Sequence, residues 1–136
     1  MRITRKALAT QLLMALITFT LACGYSSKAT TPAQPGAMPT IAELVPAAVN
    51  SGGPAFAMTV NGSNFSSTAT VNWNGAVQPT MHVSANQLTA TIPGSEIATP
   101  TTVSVTVTNP GTPGTGVYGS GGTTAETSSP MTFTVQ

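Results

Sequence analysis

The stretch that decides the fold is residues 60–75, which read V-N-G-S-N-F-S-S-T-A-T-V-N-W-N-G. Its two Asn-Gly pairs, Asn61–Gly62 and Asn74–Gly75, predict turns, because both residue types accept the left-handed backbone conformation of tight turns. The first pair is predicted to end a strand. Between the pairs, Thr70 to Asn74 alternates polar and apolar side chains, which predicts a second strand, and Phe65 is predicted to be buried.

The sequence on either side of this stretch continues the alternation in short runs separated by turn residues. In each run the apolar side chains share one face, so two sheets must stack to cover the apolar faces of all the strands. About seven short strands in under 100 residues, with no convincing helix, predict an all-β immunoglobulin-like sandwich. The seven runs are centred near Leu44, Met58, Val71, His82, Ala90, Val105 and Phe133.

Composition limits the classes of function. The chain has 136 residues, enough for one domain, and only 5% of them are charged, which is very low for a cytosolic protein. After residue 22 one lysine, Lys28, stands against the three glutamates, so this part carries 1 − 3 = −2. A nucleic-acid-binding protein needs several Lys or Arg to neutralise phosphates, so no nucleic-acid partner is predicted.

No residue pattern for catalysis or metal binding is present. The one histidine, His82, lies between Met81 and Val83, and this alternation predicts that it points to solvent. The chain has no Asp to orient it, and Glu43, Glu96 and Glu126 are widely spaced. Zinc sites need several Cys or His, and calcium sites need clustered carboxylates. The sequence therefore predicts a non-enzyme without a cofactor or a metal.

The N-terminal residues have the pattern of a targeting signal. Residues 1–6 are basic, and residues 7–21 form an apolar run interrupted by Gln11. The run is shorter than the about 20 residues of a membrane-spanning helix. Residues 1–22 are therefore predicted to be a secretory signal peptide. The single cysteine, Cys23, excludes a disulfide within the chain.

Residues 20–24, T-L-A-C-G, resemble the lipobox of bacterial lipoproteins, although the two positions before Ala22 depart from the usual pattern. The resemblance implies that Cys23 is lipidated, which anchors the chain in a membrane, because several acyl chains together hold stably. Gly24, where an Asp is absent, implies the outer membrane. The alternative is a plain signal peptide cut after Ala22, which would leave a secreted protein with a free thiol.

Residues 25–38 have no hydrophobic period and are rich in Ser, Thr, Pro and Ala, so residues 23–38 are predicted to be a lipidated cysteine followed by a flexible linker. Fully extended, such a linker spans some 40 Å at about 3.1 Å per residue. The folded domain is predicted to be residues 39–136.

Six segments of that domain together resemble an IPT/TIG domain: residues 39–46, 60–65, 70–75, 86–93, 103–110 and 131–135. The resemblance implies an immunoglobulin-like sandwich. Members of the family occur in surface receptors, transcription factors, bacterial surface proteins and accessory domains beside sugar-processing enzymes. The DNA contacts of some members do not transfer, because the basic residues are missing.

One segment departs from the family. Residues 109–129 form a connection longer than usual and rich in glycine, so they are predicted to be a flexible insertion, with a contact loop led by Tyr118 as the alternative.

Two functions follow. The first is a non-catalytic, lipid-anchored envelope module for interaction or spacing, which could bind an envelope protein by strand addition at residues 101–108, a candidate edge without charges. The second is a carbohydrate-binding accessory domain, which would contact polysaccharide through Tyr118 or Trp73. The alternation of Trp73 with Val71 instead predicts a core residue.

Overall fold

The structure is a computed structural model that describes residues 33–115 and 121–136. The described residues are built from strands, with one short 3-10 turn at Gly94–Ile97. All seven predicted strands are present, as β2, β4, β5, β7, β8, β9 and β12. In chain order the strands are β1 (Gln34–Pro35), β2 (Thr40–Val45), β3 (Ala48–Val49), β4 (Phe56–Ser63), β5 (Thr70–Trp73), β6 (Ala76–Gln78), β7 (Thr80–Ser84), β8 (Gln87–Ile92), β9 (Thr101–Asn109), β10 (Thr123–Thr124), β11 (Glu126–Thr127) and β12 (Met131–Val135).

Ten of the strands form two stacked sheets, and β1 and β10 pair with each other separately. The smaller sheet has the order β2-β4-β8-β7 and is antiparallel throughout. The larger has the order β3-β12-β9-β5-β6, and β11 also pairs with β9. Four strands facing a sheet built around β12, β9 and β5 are the arrangement of an immunoglobulin-like sandwich. The predicted fold class is confirmed.

The core lies between the two sheets and is centred on an aromatic cluster. The rings of Trp73 and Phe133 have centroids 5.0 Å apart, and Phe56 stacks on Phe133 at 5.9 Å. Each buried large apolar side chain contributes roughly 1.5–3 kcal/mol, so the sandwich needs no disulfide to offset its loss of entropy. The other large buried side chains include Leu44, Met58, Val60, Leu88, Ile92, Ile97, Val105 and Val107.

The two Asn-Gly pairs have different structures. Asn74–Gly75 is the predicted turn, with φ of 49° and 86°, and it joins β5 to β6 as a two-residue hairpin loop. The predicted turn at Asn61–Gly62 is wrong, because β4 continues through this pair to Ser63. The chain turns later, at Asn64, whose φ is 61°.

Gly62 is required by space, not by conformation. A Cβ atom there would collide with the backbone carbonyl of Thr40 and lie 2.6 Å from the Phe65 ring. Gly62 pairs with Ile41 of β2, next to a register shift in that strand. The glycine therefore allows β2 and the Phe65 ring to approach β4 closely.

The prediction that residues 101–108 form an exposed edge is wrong. These residues belong to β9, which pairs with β12 on one side and with β5 on the other. Strands use charged side chains to prevent unwanted pairing at an open edge. An internal strand has no open edge, so the lack of charge on β9 follows from its central position.

The chain is structured on both sides of the predicted domain start. Gln34–Pro35 pairs in parallel with Thr123–Thr124, and the Gln34 amide donates to the Gly122 carbonyl at 3.0 Å. This differs from the prediction of a linker without structure through residue 38. It also differs from a wholly flexible insertion, since β10 and β11 lie within residues 109–129.

The Asn109 side chain holds this region together. Its amide nitrogen donates to the carbonyls of Ala37 at 2.8 Å and Asn64 at 2.7 Å. Its oxygen accepts the Ser66 amide at 3.0 Å. One buried side chain thus joins β9, the turn after β4 and the segment that precedes β2.

Candidate interaction surface

The chain crosses from the larger to the smaller sheet between β6 and β7, and one side chain fixes the crossing. The Thr80 hydroxyl accepts the Val71 amide of β5 at 2.9 Å and donates to the Gln78 carbonyl at 2.8 Å. β6 and β7 are the last strands of their sheets, and a single residue, Pro79, separates them. The outer edges of both sheets therefore lie on the same side of the sandwich.

The orientation of β7 is opposite to the predicted one. His82 pairs with the fully buried Leu88, so its side chain is on the inner face of the sheet, where it is half-buried. The exposed side chains are Met81 and Val83. The prediction that His82 points to solvent is wrong, because the hydrogen bonds of Thr80 set which face of β7 is inward, overriding the apolar alternation.

Three exposed apolar side chains belong to these two edge strands. Val77 on β6 is 65% exposed, and Met81 and Val83 on β7 are 63% and 50% exposed. We refer to these three residues as the edge patch. Neither β6 nor β7 contains Lys, Arg, Asp or Glu. The edge is therefore apolar and free of fixed charge, with Val77 on the outer face of the larger sheet and with Met81 and Val83 on the outer face of the smaller sheet.

The backbone of β7 is open on the same side. Within the described residues β7 pairs only with β8. The Pro79 carbonyl accepts the Thr91 amide at 3.0 Å. Bonded and non-bonded pairs alternate along an antiparallel ladder, so Met81 is the next residue bonded to β8. The backbone N–H and C=O of His82 then point away from the sheet.

The opposite edge of the same sheet, β2, is protected. Its Glu43 accepts a hydrogen bond from Asn61 at 3.3 Å, and Asn61 in turn accepts one from Gln87 at 3.1 Å. The strand shifts register between Ile41 and Glu43 and is followed by Pro46. A charge, a bulge and a proline are devices that prevent strand addition, so β2 is a poor docking edge.

A cleft of about 290 Å³ lies at one end of the sandwich, lined by residues that include Gly36, Phe65, Asn109 and Thr123. The Asn109 amide is fully used in its three internal hydrogen bonds. In residues 33–115 and 121–136 every buried side-chain nitrogen or oxygen has a hydrogen-bond partner. The buried Asn109 side chain is therefore engaged within the fold and is not free to orient a ligand in this cleft.

The structure places some of the predicted site residues and leaves others outside its description. Trp73 is 1% exposed and packs in the core, so it has almost no surface on which a sugar could stack. Cys23 and Tyr118 lie outside the described residues. Of the two residues predicted for carbohydrate binding, only Tyr118 is left to support that alternative.

The acidic residues do not converge. Glu43, Glu96 and Glu126 lie on β2, in the 3-10 turn and on β11. The described part of the chain contains no group of His, Cys, Asp or Glu that could hold a metal ion. Nor does that part contain a helix long and apolar enough to cross a membrane.

Sequence reasoning missed the edge patch. Met81 and Val83 alternate with the polar His82, which predicts core positions for both, and Val77 lies outside the seven predicted runs. One signal was available: Pro79 lies between two short apolar runs, and proline within such a run marks an edge or a break in a strand.

Two stacked sheets with this strand order define an immunoglobulin-like β-sandwich domain, in which β7 is an edge strand with exposed apolar side chains. Residues 39–135 match the model of the IPT/TIG domain family, and the chain belongs to that family. Domains of this family are generally non-catalytic modules. Comparisons with curated proteins and with solved structures found no match.

Proposed function

We propose that this chain is a non-catalytic interaction or spacer module, held at the bacterial cell envelope by a lipid on Cys23. The signal-peptide pattern of residues 1–22 and the lipobox-like residues 20–24 support the anchor. Gly24 favours the outer membrane as its location. The IPT/TIG domain would be the part that the anchor presents.

The observation that carries the interaction role is the edge patch. Met81 and Val83 expose apolar surface on the edge strand β7, and Val77 does so on β6, whereas most large apolar side chains of the domain are buried in the core. Exposed apolar surface that a protein keeps next to free backbone groups is suited to strand addition. A domain that served only as a spacer would have no use for it.

In this proposal the tether would be shorter than residues 25–38. Since β1 begins at Gln34, about ten residues separate it from Cys23. Fully extended at about 3.1 Å per residue, they span about 30 Å. The domain would thus lie close enough to the membrane to meet other envelope components.

Membrane fractionation of the wild type and Cys23→Ser tests the anchor, with intact mass of the mature N-terminus. We expect acyl mass and membrane association for the wild type, and a soluble or unprocessed chain for Cys23→Ser. Ser26→Ala is the matched control, since it changes the same segment and keeps the cysteine. If wild type and Cys23→Ser are both soluble and begin at residue 23 without lipid, the protein is secreted and the anchor is excluded.

A further inference from the structure

We propose that two copies of this chain associate through β7, by antiparallel pairing of their open edges about a two-fold axis at His82. The inference concerns the interaction half of the proposed function and rests on it, but it does not depend on the lipid. It would join the two smaller sheets into one continuous sheet of eight strands.

The register of β7 is self-complementary about His82. The backbone N–H and C=O of His82 are the groups that point away from β8, so two copies can exchange two hydrogen bonds there. In antiparallel pairing about one residue, its two neighbours face each other across the axis. Met81 of each copy would therefore lie opposite Val83 of the other, with apolar side chains in contact on both sides.

Charge selects a second copy over a charged partner. β6 and β7 have no Lys, Arg, Asp or Glu, so two copies meet there without repulsion between fixed charges. Glu43 lies on β2, at the far edge of the same sheet. A strongly charged segment of another protein would find no complementary charge on this edge. The edge patch matches another edge that is neutral and apolar, and a second copy of the chain has such an edge.

The structure limits how strong this pairing can be. A register shift between His82 and Ser84 bends the end of β7, which confines regular pairing to a few residues. Such a contact buries less than the about 1,200 Å² of a stable interface. We therefore expect weak association in solution. Confinement of the copies at one surface raises their effective concentration and favours the pair.

A cysteine at the axis tests the arrangement. Bonded residues in an antiparallel pair have Cα atoms about 5.5 Å apart, within the range that a disulfide can span. We expect the full chain carrying His82→Cys to form a covalent homodimer under mild oxidation on a non-reducing gel. Val45→Cys is the matched control, since Val45 is 45% exposed on the other edge of the same sheet. It should form at least about fivefold less dimer, as expected for a weak but specific contact.

Further variants keep the proposal testable if His82→Cys disturbs the fold. The double variant Met81→Cys/Val83→Cys leaves His82 intact and places two thiols opposite two others on the exposed face. Adding Met81→Lys to His82→Cys should lower the dimer yield severalfold, because each lysine would place an unpaired charge against the apolar Val83 side chain of the other copy. Val45→Lys in the same background should leave the yield unchanged. Melting curves identify any variant that fails to fold.

All variants are made with Cys23 and with Cys23→Ser, which separates the two proposals. A dimer both with Cys23 and with Cys23→Ser supports β7 pairing, independently of the result for the anchor. If the chain that keeps Cys23 is not associated with membranes but still forms the dimer, the anchor alone is overturned. Three outcomes would each overturn the pairing of copies. The first is an equal dimer yield from Val45→Cys and His82→Cys, and the second is no dimer from either His82→Cys or Met81→Cys/Val83→Cys. The third is a cross-link only to a different protein.

Discussion

The same dipeptide occurs twice within fifteen residues and has two structures. Asn74–Gly75 turns the chain through positive φ angles, and nothing lies within 4 Å of a Cβ built on Gly75. Asn61–Gly62 stays in strand β4, where a Cβ on Gly62 would collide with the Thr40 carbonyl. Gly75 is needed for its backbone conformation, whereas Gly62 is needed because a side chain would not fit there. Only the first requirement can be recognised from local sequence.

The largest effect is expected for Gly62→Ala. The added methyl meets backbone and a buried ring, which cannot both move aside, so the loss of unfolding free energy should reach or exceed the upper end of about 1–3 kcal/mol for overpacking. Urea unfolding followed by the fluorescence of Trp73 measures it. A loss below about 1 kcal/mol would show that β2 can move away from β4 at little cost.

Asn109→Ala is expected to come next. The substitution tests the turn that follows β4, because the Asn109 side chain is hydrogen-bonded to Asn64 and Ser66 in that turn. Unpaired polar groups cost about 1–3 kcal/mol when buried, and partial access of water to the cleft lowers this, so we expect a loss of about 2 kcal/mol. The same unfolding assay applies. Thr112→Ala, at an exposed position on the rim of the cleft, is the control: it removes two hydrogen bonds to Thr123 that are open to water, so it should cost clearly less than Asn109→Ala.

Gly75→Ala should cost about 1–2 kcal/mol, the penalty of a left-handed backbone for a residue with a Cβ. Gly52→Ala is a matched control, because Gly52 has φ of 72° and equally open space. Thermal unfolding of the two variants should give similar shifts, both smaller than that of Gly62→Ala. A Gly75→Ala loss as large as that of Gly62→Ala would contradict the distinction between conformation and space.

The smallest effects are expected at the two asparagines. Asn74→Gly should change stability by less than about 0.5 kcal/mol, since glycine accepts the same backbone conformation. Asn61→Gly should cost about 1 kcal/mol, because a glycine weakens a strand and the hydrogen bonds to Glu43 and Gln87 are lost. Denaturation midpoints of the pair give the comparison directly, and a reversed order would contradict it.

Much of the fold could be predicted because the alternation of side chains is a local property. It identified the seven longer strands and placed Trp73 beside Val71 in the core, and the structure contains both features. The same alternation predicts the sandwich, because the apolar faces of the strands must be covered, and the IPT/TIG resemblance implies it as well. The family match confirms it.

The candidate surface could not be predicted, because it depends on which strands are neighbours. β9 lacks charge since both of its sides are paired, whereas β7 lacks charge with one side open. In the sequence the two look alike. The facing of His82 depends on a hydrogen bond between Thr80 and Val71, which belong to different strands and different sheets.

The Asn109 side chain determines how a mechanical pull would travel through the molecule. A force applied to the chain ahead of Gln34 would reach β1 first and then Ala37, whose carbonyl is bonded to Asn109. Asn109 ends β9, a strand in the middle of the larger sheet. Tension is thus shared with the centre of the sandwich before it loads the edge strand β2, so drag on the domain would not simply peel that strand away.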